Sequence, residues 1–460
     1  MRPIVFFIIF MTSIPFLKAQ TVTLDQEIDS LVEHSLPHST VGIWIKDIQS
    51  NQVMYARNAD KLLNPASNIK MLTAAAALYH LGPMYRYQTT LSKMNDDFYI
   101  TFSGSPSLTS DDLTKLVANL PKQIAGNIIM DTTRFKPPYY AAGMSYDDLG
   151  WYYDAPSTAV ILNENMVSYD FISAAAIGSL IQIKPLAPEN GLTLINEVVT
   201  VTKEQEQNHC SFNIEIKANN TLHLYGCLAK DEKPKQMKLA ITDPELYAKQ
   251  IITKSVNTNQ INLQGNILNG ATPEQSTVIS TYQSDELVKL VAHMLEESDN
   301  LYADSITKSL GYALTNQGTY KQGAFAIKKI LSQHTTMNMK LVEIADGQGT
   351  RYNLTTPEQI GVLLSNIYSD ETIKPLFIAS LPKMGLSGTL KDRMKQTPLA
   401  NKVFAKTGTM HDISALSGYM TTASGKPLIF SIVSNGVHGN VSSAKQLEEK
   451  IVQLLYTQVK

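Results

Sequence analysis

Three short motifs contain residue types and spacings that could support nucleophilic catalysis. Ser67 and Lys70 stand three residues apart, a spacing that puts both side chains on one face of a helix, one turn apart. A serine nucleophile needs a base beside it and positive potential around it, and a helix N-terminus supplies the potential. The other motifs are Ser298-Asp299-Asn300 and Lys406-Thr407-Gly408. Alone, each motif also fits a structural role: a helix start, a turn rich in capping residues, and a strand that enters a bulge.

The elements predicted around the motifs decide between these interpretations. Pro65 and the alanine- and leucine-rich run after Lys70 predict a helix that begins near Ser67. The second motif falls between two predicted helices, at 285–297 and 303–314, and the third lies on a predicted strand at 402–410. A helix start, an interhelical loop and a strand beside a cleft can meet, so we interpret the three motifs as one site.

The chemistry of such a site assigns a role to each polar side chain. A lysine has an unperturbed pKa near 10.4 and is a poor base at neutral pH, but burial or a second cation lowers that pKa. Lys406 is predicted to be this cation, so that a neutral Lys70 takes the proton of Ser67. Ser298 would pass a proton to the leaving amine, and Asn300 would hold Lys70 and a substrate amide.

The third motif is predicted to bind the substrate. Its strand, with Thr407, Gly408 and Thr409, can pair with an extended peptide by edge addition. Lys406 and Thr407 suit a terminal carboxylate, and the backbone N–H groups of Ser67 and Thr409 are the predicted oxyanion hole. No cofactor and no metal are needed for this chemistry.

Composition limits the classes of function. The chain has 460 residues, which predicts two or three domains, and 43% of them are hydrophobic. The formal net charge of −2 gives no reason to expect disorder or a nucleic-acid partner held by bulk electrostatics.

The N-terminus predicts export. Residues 1–19 combine the positive Arg2, an apolar run and a small Ala19 at the expected cleavage point, as in a secretory signal peptide. An uncleaved anchor is the alternative, but the run is short and Pro15 interrupts it. We find no other long apolar segment and expect a soluble, exported mature protein without a stable transmembrane segment.

The two ends of the chain are predicted to form one α/β domain. Strands at 41–47 and 52–56 precede the first motif, and their predicted sheet partners lie after residue 400. Residues 20–86 and 281–460 would therefore build a domain with an antiparallel sheet flanked by helices. The segment between them, with short strands and frequent turns, reads as a β-rich insertion.

Cys210 and Cys227, the only cysteines, flank a predicted β-hairpin. Opposed across its open end, they are expected to form a disulfide in an oxidising compartment. Two buried thiols are the alternative.

Taken together, the motif trio and the long insertion resemble the class C low-molecular-mass penicillin-binding proteins, the serine D-alanyl-D-alanine carboxypeptidase/endopeptidase family. The resemblance implies a β-lactamase/transpeptidase-like domain interrupted by a second domain, at 87–165 and 240–280, with a third nested at 166–239. It implies periplasmic hydrolysis of peptidoglycan stem peptides and D-Ala-diaminopimelate crosslinks through an acyl-enzyme on Ser67. β-Lactam antibiotics would be covalent inhibitors, and a homo-oligomer is left open.

Two more substrate residues follow from the resemblance. The segment 346–357 is similar to a family segment but lacks one residue and has Gln348 where the family has serine. Arg351 would hold the carboxylate end of the substrate. Asp148 would reach the free amine of a diaminopimelate side chain, although a solvated turn acid is its structural alternative. His411 stands where relatives often have glutamine.

Two other functions compete with this one. A β-lactamase would need a glutamate-positioned water for fast deacylation, and Glu164 is the candidate. Glu164 lies in the insertion with no reason to reach Ser67, so slow deacylation is expected. A non-catalytic cell-wall-binding protein would need neither Ser67 nor two site lysines.

Overall fold

The computed structural model describes residues 23–187 and 191–460. The predicted signal peptide lies outside the described residues. Among those described, no helix combines the length and the apolar character that a membrane span requires.

Helices occur throughout the described chain. They are α1 Leu24–Ser35, α2 Lys70–His80, α3 Ser110–Val117, α4 Lys203–Asn208, α5 Pro244–Thr258, α6 Leu287–Glu296, α7 Asn300–Thr315, α8 Tyr320–His334, α9 Pro357–Ser369, α10 Lys374–Ala379 and α11 Val441–Gln458.

Strands alternate with these helices and form several sheets. They are β1 Thr40–Asp47, β2 Gln52–Arg57, β3 Gln88–Met94, β4 Asp97–Thr101, β5 Gln123–Ile124, β6 Ile128–Asp131, β7 Met166–Ile172, β8 Gln182–Pro185, β9 Thr193–Val201, β10 Asn213–Lys217, β11 Thr221–Ala229, β12 Lys235–Ala240, β13 Asn262–Leu263, β14 Ile267–Asn269, β15 Thr277–Gln283, β16 Val342–Glu343, β17 Leu354–Thr355, β18 Val403–Met410, β19 Ile413–Thr421 and β20 Pro427–Asn435.

The largest core surrounds an antiparallel sheet built from both ends of the chain. Its strand order is β18-β19-β20-β1-β2, and β1 pairs with β20 from Thr40–Asn435 to Asp47–Leu428. The predicted pairing of the early strands with strands after residue 400 is therefore confirmed. Successive side chains of a strand point to opposite faces, so Trp44 joins the core with α2, α6, α7, α8 and α9 while Ile43 and Ile45 join the core with α1 and α11. The mixed α/β fold is as predicted.

The middle of the chain has its own core and its own sheets. One has the order β14-β6-β4-β3-β15, and two three-stranded sheets have the orders β12-β7-β8 and β10-β11-β9. The boundaries at residues 87, 166, 240 and 281 stay a prediction. The predicted hairpin is β10–β11, and a disulfide joins Cys210 to Cys227 at its open end. The parallel pairing of β11 with β9 was not predicted, because short-range alternation carries no information on a distant partner.

Two helix starts differ from the sequence prediction. The turn at Ala66–Ile69, which contains Ser67, is a 3-10 helix, and the α-helix begins at Lys70. Helix α7 begins at Asn300 rather than near residue 303, because the Asp299 side chain accepts from Tyr302 N at 3.0 Å and caps it. Both shifts bring motif residues to helix ends.

Candidate active site

Lys70 connects the first motif to the rest of the site. Its side chain is fully buried at the start of α2, and its Nζ donates to Ser67 Oγ at 2.8 Å. The same Nζ donates to Asn300 Oδ1 at 2.7 Å and to the backbone oxygen of Gln348 at 2.8 Å. An ammonium has three donors, so these three acceptors use its full capacity. Ser67, Lys70 and Asn300 thus form one hydrogen-bonded group.

Lys406 connects the second motif to the third. Its buried Nζ donates to Ser298 Oγ at 2.8 Å and to the backbone oxygen of Thr407 at 2.9 Å. Ser298 lies in the turn between α6 and α7, with a left-handed φ of 59°. The structure therefore brings all three motifs together: Lys70 is hydrogen-bonded to Ser67, and Lys406 is hydrogen-bonded to Ser298.

Gly408 lets the strand of the third motif lie against Ser67. A Cβ on Gly408 would stand 2.7 Å from Pro65 O and 3.2 Å from Ser67 N, so a side chain there would displace the strand or the turn. Strand β18 is an edge strand of the sheet, and Thr409 is exposed at the cleft. Thr407 Oγ1 donates to Thr389 Oγ1 at 2.8 Å, which ties this edge to the segment after α10.

Burial is the main cause of the altered lysine pKa values. Burial lowers the pKa of Lys70 to about 8, although the carboxylates of Asp304, Asp299, Asp346 and Asp154 act in the opposite direction. Burial also lowers the pKa of Lys406 well below its usual value, and the charge of Lys70 adds to this effect. The prediction that Lys406 is what makes Lys70 a base is corrected accordingly: removal of the Lys70 ammonium from water is the larger cause.

The loop at residues 346–351 positions Lys70. The sequence predicted a role only for its Arg351. The Asp346 carboxylate accepts from the backbone N–H groups of Gln348 and Gly349, at 3.1 and 2.8 Å. Gly349 has a φ of 104°, and a Cβ there would stand 2.0 Å from Ala66 O, so the loop packs directly on the Ser67 turn. The Gln348 side chain, at the family's serine position, turns away and donates from Nε2 to Asp304 Oδ2 at 2.8 Å.

A cavity of about 230 Å³ opens at Ser67, and five of the predicted site residues line it: Ser67, Asn300, Thr409, Asp148 and Arg351. Its lining comprises Ser67, Gly143, Met144, Ser145, Asp148, Tyr153, Asp154, Asn300, Gln348, Gly349, Thr350, Arg351, Thr409, Met410 and His411. Asp148 and Arg351 thus reach the same cavity as Ser67 from separate parts of the chain. Tyr153 Oη donates to Asp148 Oδ1 at 2.9 Å and orients that carboxylate.

Asp154 is a cavity residue that sequence reasoning missed. Its side chain is buried, and burial, followed by repulsion from Asp148, raises the pKa of this carboxyl to about 7. Nothing in the local sequence distinguishes it from other acids near turns. Glu164, by contrast, lines a different cavity, with His293, Ser298 and Asp299, and not the one that contains Ser67.

The fold and the three motifs define the class of penicillin-binding proteins and β-lactamases, whose motif set is Ser-x-x-Lys, Ser-Asp-Asn and Lys-Thr-Gly. The sequence profile of the D-Ala-D-Ala carboxypeptidase 3 (S13) family matches residues 24–458, and the chain belongs to that family. It is a family of serine peptidases, so the protein is a hydrolase. The predicted family is therefore confirmed.

Relatives match over most of their length. The chain is 27% identical over 431 residues to the D-alanyl-D-alanine carboxypeptidase DacB of Haemophilus influenzae, covering 90% of this chain and 89% of that one. It is 28% identical over 455 residues to a D-alanyl-D-alanine carboxypeptidase of Actinomadura sp. strain R39, covering 93% and 84%.

Solved structures of a relative share the fold of this chain. The crystal structure of penicillin binding protein 4 (dacB) from Haemophilus influenzae superposes with a TM-score of 0.85 at 26% identity, covering 94% of this chain and 99% of that one. A complex of that protein with a β-lactam superposes with a TM-score of 0.80 at 25% identity, with the same coverage.

The Gln348–Asp304 hydrogen bond generates a stability prediction. We expect Gln348→Ala to lower the free energy of unfolding by about 1–3 kcal/mol, because it removes a donor from the buried Asp304 carboxylate. Chemical denaturation measures this change. Gln207→Ala, at an exposed position of α4, is the matched control and should change stability little. Equal stabilities of the two variants would contradict the buried contact.

Proposed function

We propose that this protein is an exported serine D-alanyl-D-alanine carboxypeptidase and endopeptidase that acts on peptidoglycan through an acyl-enzyme on Ser67. The observation that carries the proposal is the Lys70 Nζ–Ser67 Oγ hydrogen bond of 2.8 Å at the floor of an open cavity. Family membership supports the carboxypeptidase activity, and the predicted signal peptide supports export to the periplasm.

Acylation begins with proton transfer from Ser67 Oγ to the neutral amine of Lys70. With a pKa near 8, Lys70 is neutral in a useful fraction of molecules at neutral pH and remains basic enough to accept the proton. The deprotonated oxygen attacks the carbonyl carbon of the penultimate D-alanine. The backbone N–H groups of Ser67 and Thr409 stabilise the oxyanion of the tetrahedral intermediate.

Departure of the terminal residue requires a proton on its nitrogen. Ser298 Oγ donates its proton to this nitrogen and regains one from the protonated Lys70, which becomes neutral again, while the Lys406 Nζ contact at 2.8 Å positions the Ser298 hydroxyl. Asn300 keeps Lys70 in place through Oδ1, while its Nδ2 donates to the Tyr153 backbone oxygen at 2.8 Å. Water then hydrolyses the ester. A terminal D-alanine leaves in the carboxypeptidase reaction, and a crosslinked diaminopimelate leaves in the endopeptidase reaction.

Asp148 and Arg351 bind the zwitterionic end of a diaminopimelate side chain. A carboxylate and a guanidinium on the lining of one cavity are complementary to an ammonium and a carboxylate on one carbon atom. Edge strand β18 would hold the peptide backbone through Thr407, Gly408 and Thr409.

β-Lactams would act as slow substrates. They carry a reactive amide that Ser67 can open, and the crystal structure of the Haemophilus influenzae relative in complex with a β-lactam shows that such a compound binds that protein. Glu164 lines another cavity, and among the described residues no glutamate lines the cavity at Ser67, where class A β-lactamases have the residue that positions deacylating water. The acyl-enzyme should therefore persist.

Labelled penicillin separates the proposed function from its alternatives. We expect stable labelling of the wild type and none of Ser67→Ala. Rapid turnover of the drug would indicate a β-lactamase, and no labelling would indicate a non-catalytic binder. Ser305→Ala, in another Ser-x-x-Lys sequence, is the matched control and should label normally. Release of D-alanine from a pentapeptide, compared with cleavage of crosslinked dimers, then gives the balance of the two activities.

The acylation rate should depend on pH. Because neutral Lys70 is the base, the second-order rate constant for penicillin acylation should rise about tenfold per pH unit below the pKa of Lys70 and level off above it. The expected midpoint is about 8. Rapid-quench measurement of Ser67 labelling tests this profile. A rate that does not change between about pH 6 and 9 would exclude Lys70 as the titrating base.

Substitutions at Asp148 and Arg351 should act on substrates that carry the matching charges. We expect Asp148→Asn to reduce kcat/KM by about tenfold to a hundredfold for peptides with a free diaminopimelate amine, since a charged hydrogen bond is lost. Arg351→Met should do the same where the side-chain carboxylate is free. Acylation by benzylpenicillin, which has no such amine, is the internal control. An equal loss with N-acetylated peptide would contradict recognition of the amine.

A further inference from the structure

A second cluster of ionisable side chains lies next to the catalytic motifs but takes no part in the proposed reaction. It consists of Glu164, His293 and Asp299, which we call the Glu-His-Asp cluster. Each offers one ligand atom, and these three atoms lie within 4.8 Å of one another. They line a cavity of about 370 Å³ that also contains Ser298 and Asn300.

The spacing of the cluster is too wide for hydrogen bonds. His293 Nε2 lies 3.5 Å from Asp299 Oδ2 and 3.9 Å from Glu164 Oε1, whereas an N–H···O bond spans about 2.7–3.2 Å. The Nε2 atom is buried and has no hydrogen-bond partner among the described residues. The imidazole is therefore within ion-pair distance of two carboxylates, but Nε2 makes a hydrogen bond to neither, and this spacing leaves room for an ion.

A metal ion fits the spacing of His293 and Asp299, and Glu164 Oε1, 3.9 Å from His293 Nε2, would complete the set by moving slightly closer. Two ligands that are each about 2.1 Å from a tetrahedral Zn²⁺ ion lie about 3.4 Å apart, close to the His293–Asp299 separation. One imidazole and two carboxylates form a donor set that suits Zn²⁺, whereas Mg²⁺ and Ca²⁺ prefer oxygen ligands alone.

Two of the ligands are already oriented by the fold. Asp299 Oδ1 accepts from Tyr302 N and caps α7, which directs Oδ2 towards His293. The His293 ring packs against the Tyr302 ring at a centroid distance of 4.3 Å, with the two planes tilted by 37°. These contacts reduce the entropy lost when a metal binds.

The charges that face the cavity also favour a divalent cation. Glu297 adds a third carboxylate to those of Glu164 and Asp299, and Lys238 provides one ammonium. Lys238 Nζ lies over the Tyr152 ring, 5.2 Å from its centroid. The carboxylates therefore outnumber the ammonium, and a divalent ion would offset the excess negative charge.

We propose that Glu164, His293 and Asp299 bind one Zn²⁺ ion, which joins the inserted segment to the catalytic Ser298–Asn300 turn. Glu164 comes from the turn at Asn163–Asn165 that precedes β7, and His293 comes from the last turn of α6. Asp299 stands between two of the motif residues. Metal binding at the Glu-His-Asp cluster would hold that turn in one position.

Titration of the metal-free mature chain with Zn²⁺ tests the site. We expect one bound equivalent in the wild type and at least tenfold weaker binding in His293→Gln and in Glu164→Gln. His223→Gln is the matched control, because His223 also lies between two carboxylates but at 2.9 and 3.2 Å, as an ordinary paired histidine. No stoichiometric binding by the wild type, or unchanged affinity in both cluster variants, would overturn the proposal. A far-UV circular dichroism spectrum and an unfolding midpoint equal to those of the metal-free wild type show that each variant is folded.

The consequence for catalysis rests on the proposed function and has its own test. Saturating Zn²⁺ should increase the rate of Ser67 labelling by penicillin at least twofold in the wild type and leave His293→Gln unchanged, because a fixed Ser298–Asn300 turn needs less reorganisation. Equal rates with and without Zn²⁺ would refute this coupling. Absence of any Ser67 labelling would instead refute the proposed function, and the titration would still decide the metal site.

Discussion

The hydrogen bond from the buried Lys70 side chain to Ser67 is the interaction on which the site depends. Removing an ammonium from water costs several kcal/mol, and only well-placed acceptors offset that cost. The acceptors come from three places: the turn before α2, the start of α7 and the loop that contains Gln348. Packing of α2 and α7 in one core keeps these acceptors at fixed distances. Burial has a larger effect than the nearby carboxylates, so Lys70 keeps the lowered pKa that its proposed role as a base requires.

Behind Lys70 lies a layer of buried charges that attaches the insertion to the catalytic helices. Asp304 accepts from Tyr320 Oη at 2.9 Å and from Gln348 Nε2 at 2.8 Å, and Lys308 Nζ donates to the backbone oxygens of Pro138 and Ser157 at 3.0 and 2.7 Å. Burial raises the pKa of Asp304 to about 7 and lowers the pKa of Lys308 to about 7, while attraction between the two groups opposes both shifts. Because Pro138 and Ser157 bracket the segment with Asp148, this layer also fixes where that segment lies beside the cavity.

Local patterns predicted the local parts of this arrangement. The strands around β1, the hairpin β10–β11 and the helices next to the motifs follow from alternation, turn residues and capping residues, which act over a few positions. The parallel pairing of β9 with β11 and the buried Asp154 depend on contacts between distant segments, and neither has a signature of its own. The sequence also could not predict that burial is the main reason for the lowered pKa of Lys70, because burial depends on how the whole core packs. Gln348 positions Lys70 through its backbone oxygen. Every residue type has such an oxygen, so the sequence could not predict this role.

A second Ser-x-x-Lys pair in the same core shows why spacing alone does not define a nucleophile. Ser305 and Lys308 stand three apart on α7, both side chains are buried, and the pKa of Lys308 is lowered mainly by burial. Yet Ser305 Oγ donates to the Gly104 backbone oxygen, and Lys308 donates to two carbonyls of the insertion instead of to the serine. The Ser305 hydroxyl is fully enclosed, so no carbonyl carbon can approach it, and its proton is held by a neutral acceptor that is no base. Ser67 differs in two respects that come from its neighbours: its hydroxyl accepts from Lys70, and the glycines at 349 and 408 let two segments pack beside it while the cavity above stays open. The Ser-x-x-Lys spacing therefore does not define a nucleophile by itself. The serine must also accept a hydrogen bond from the lysine and face an open cleft.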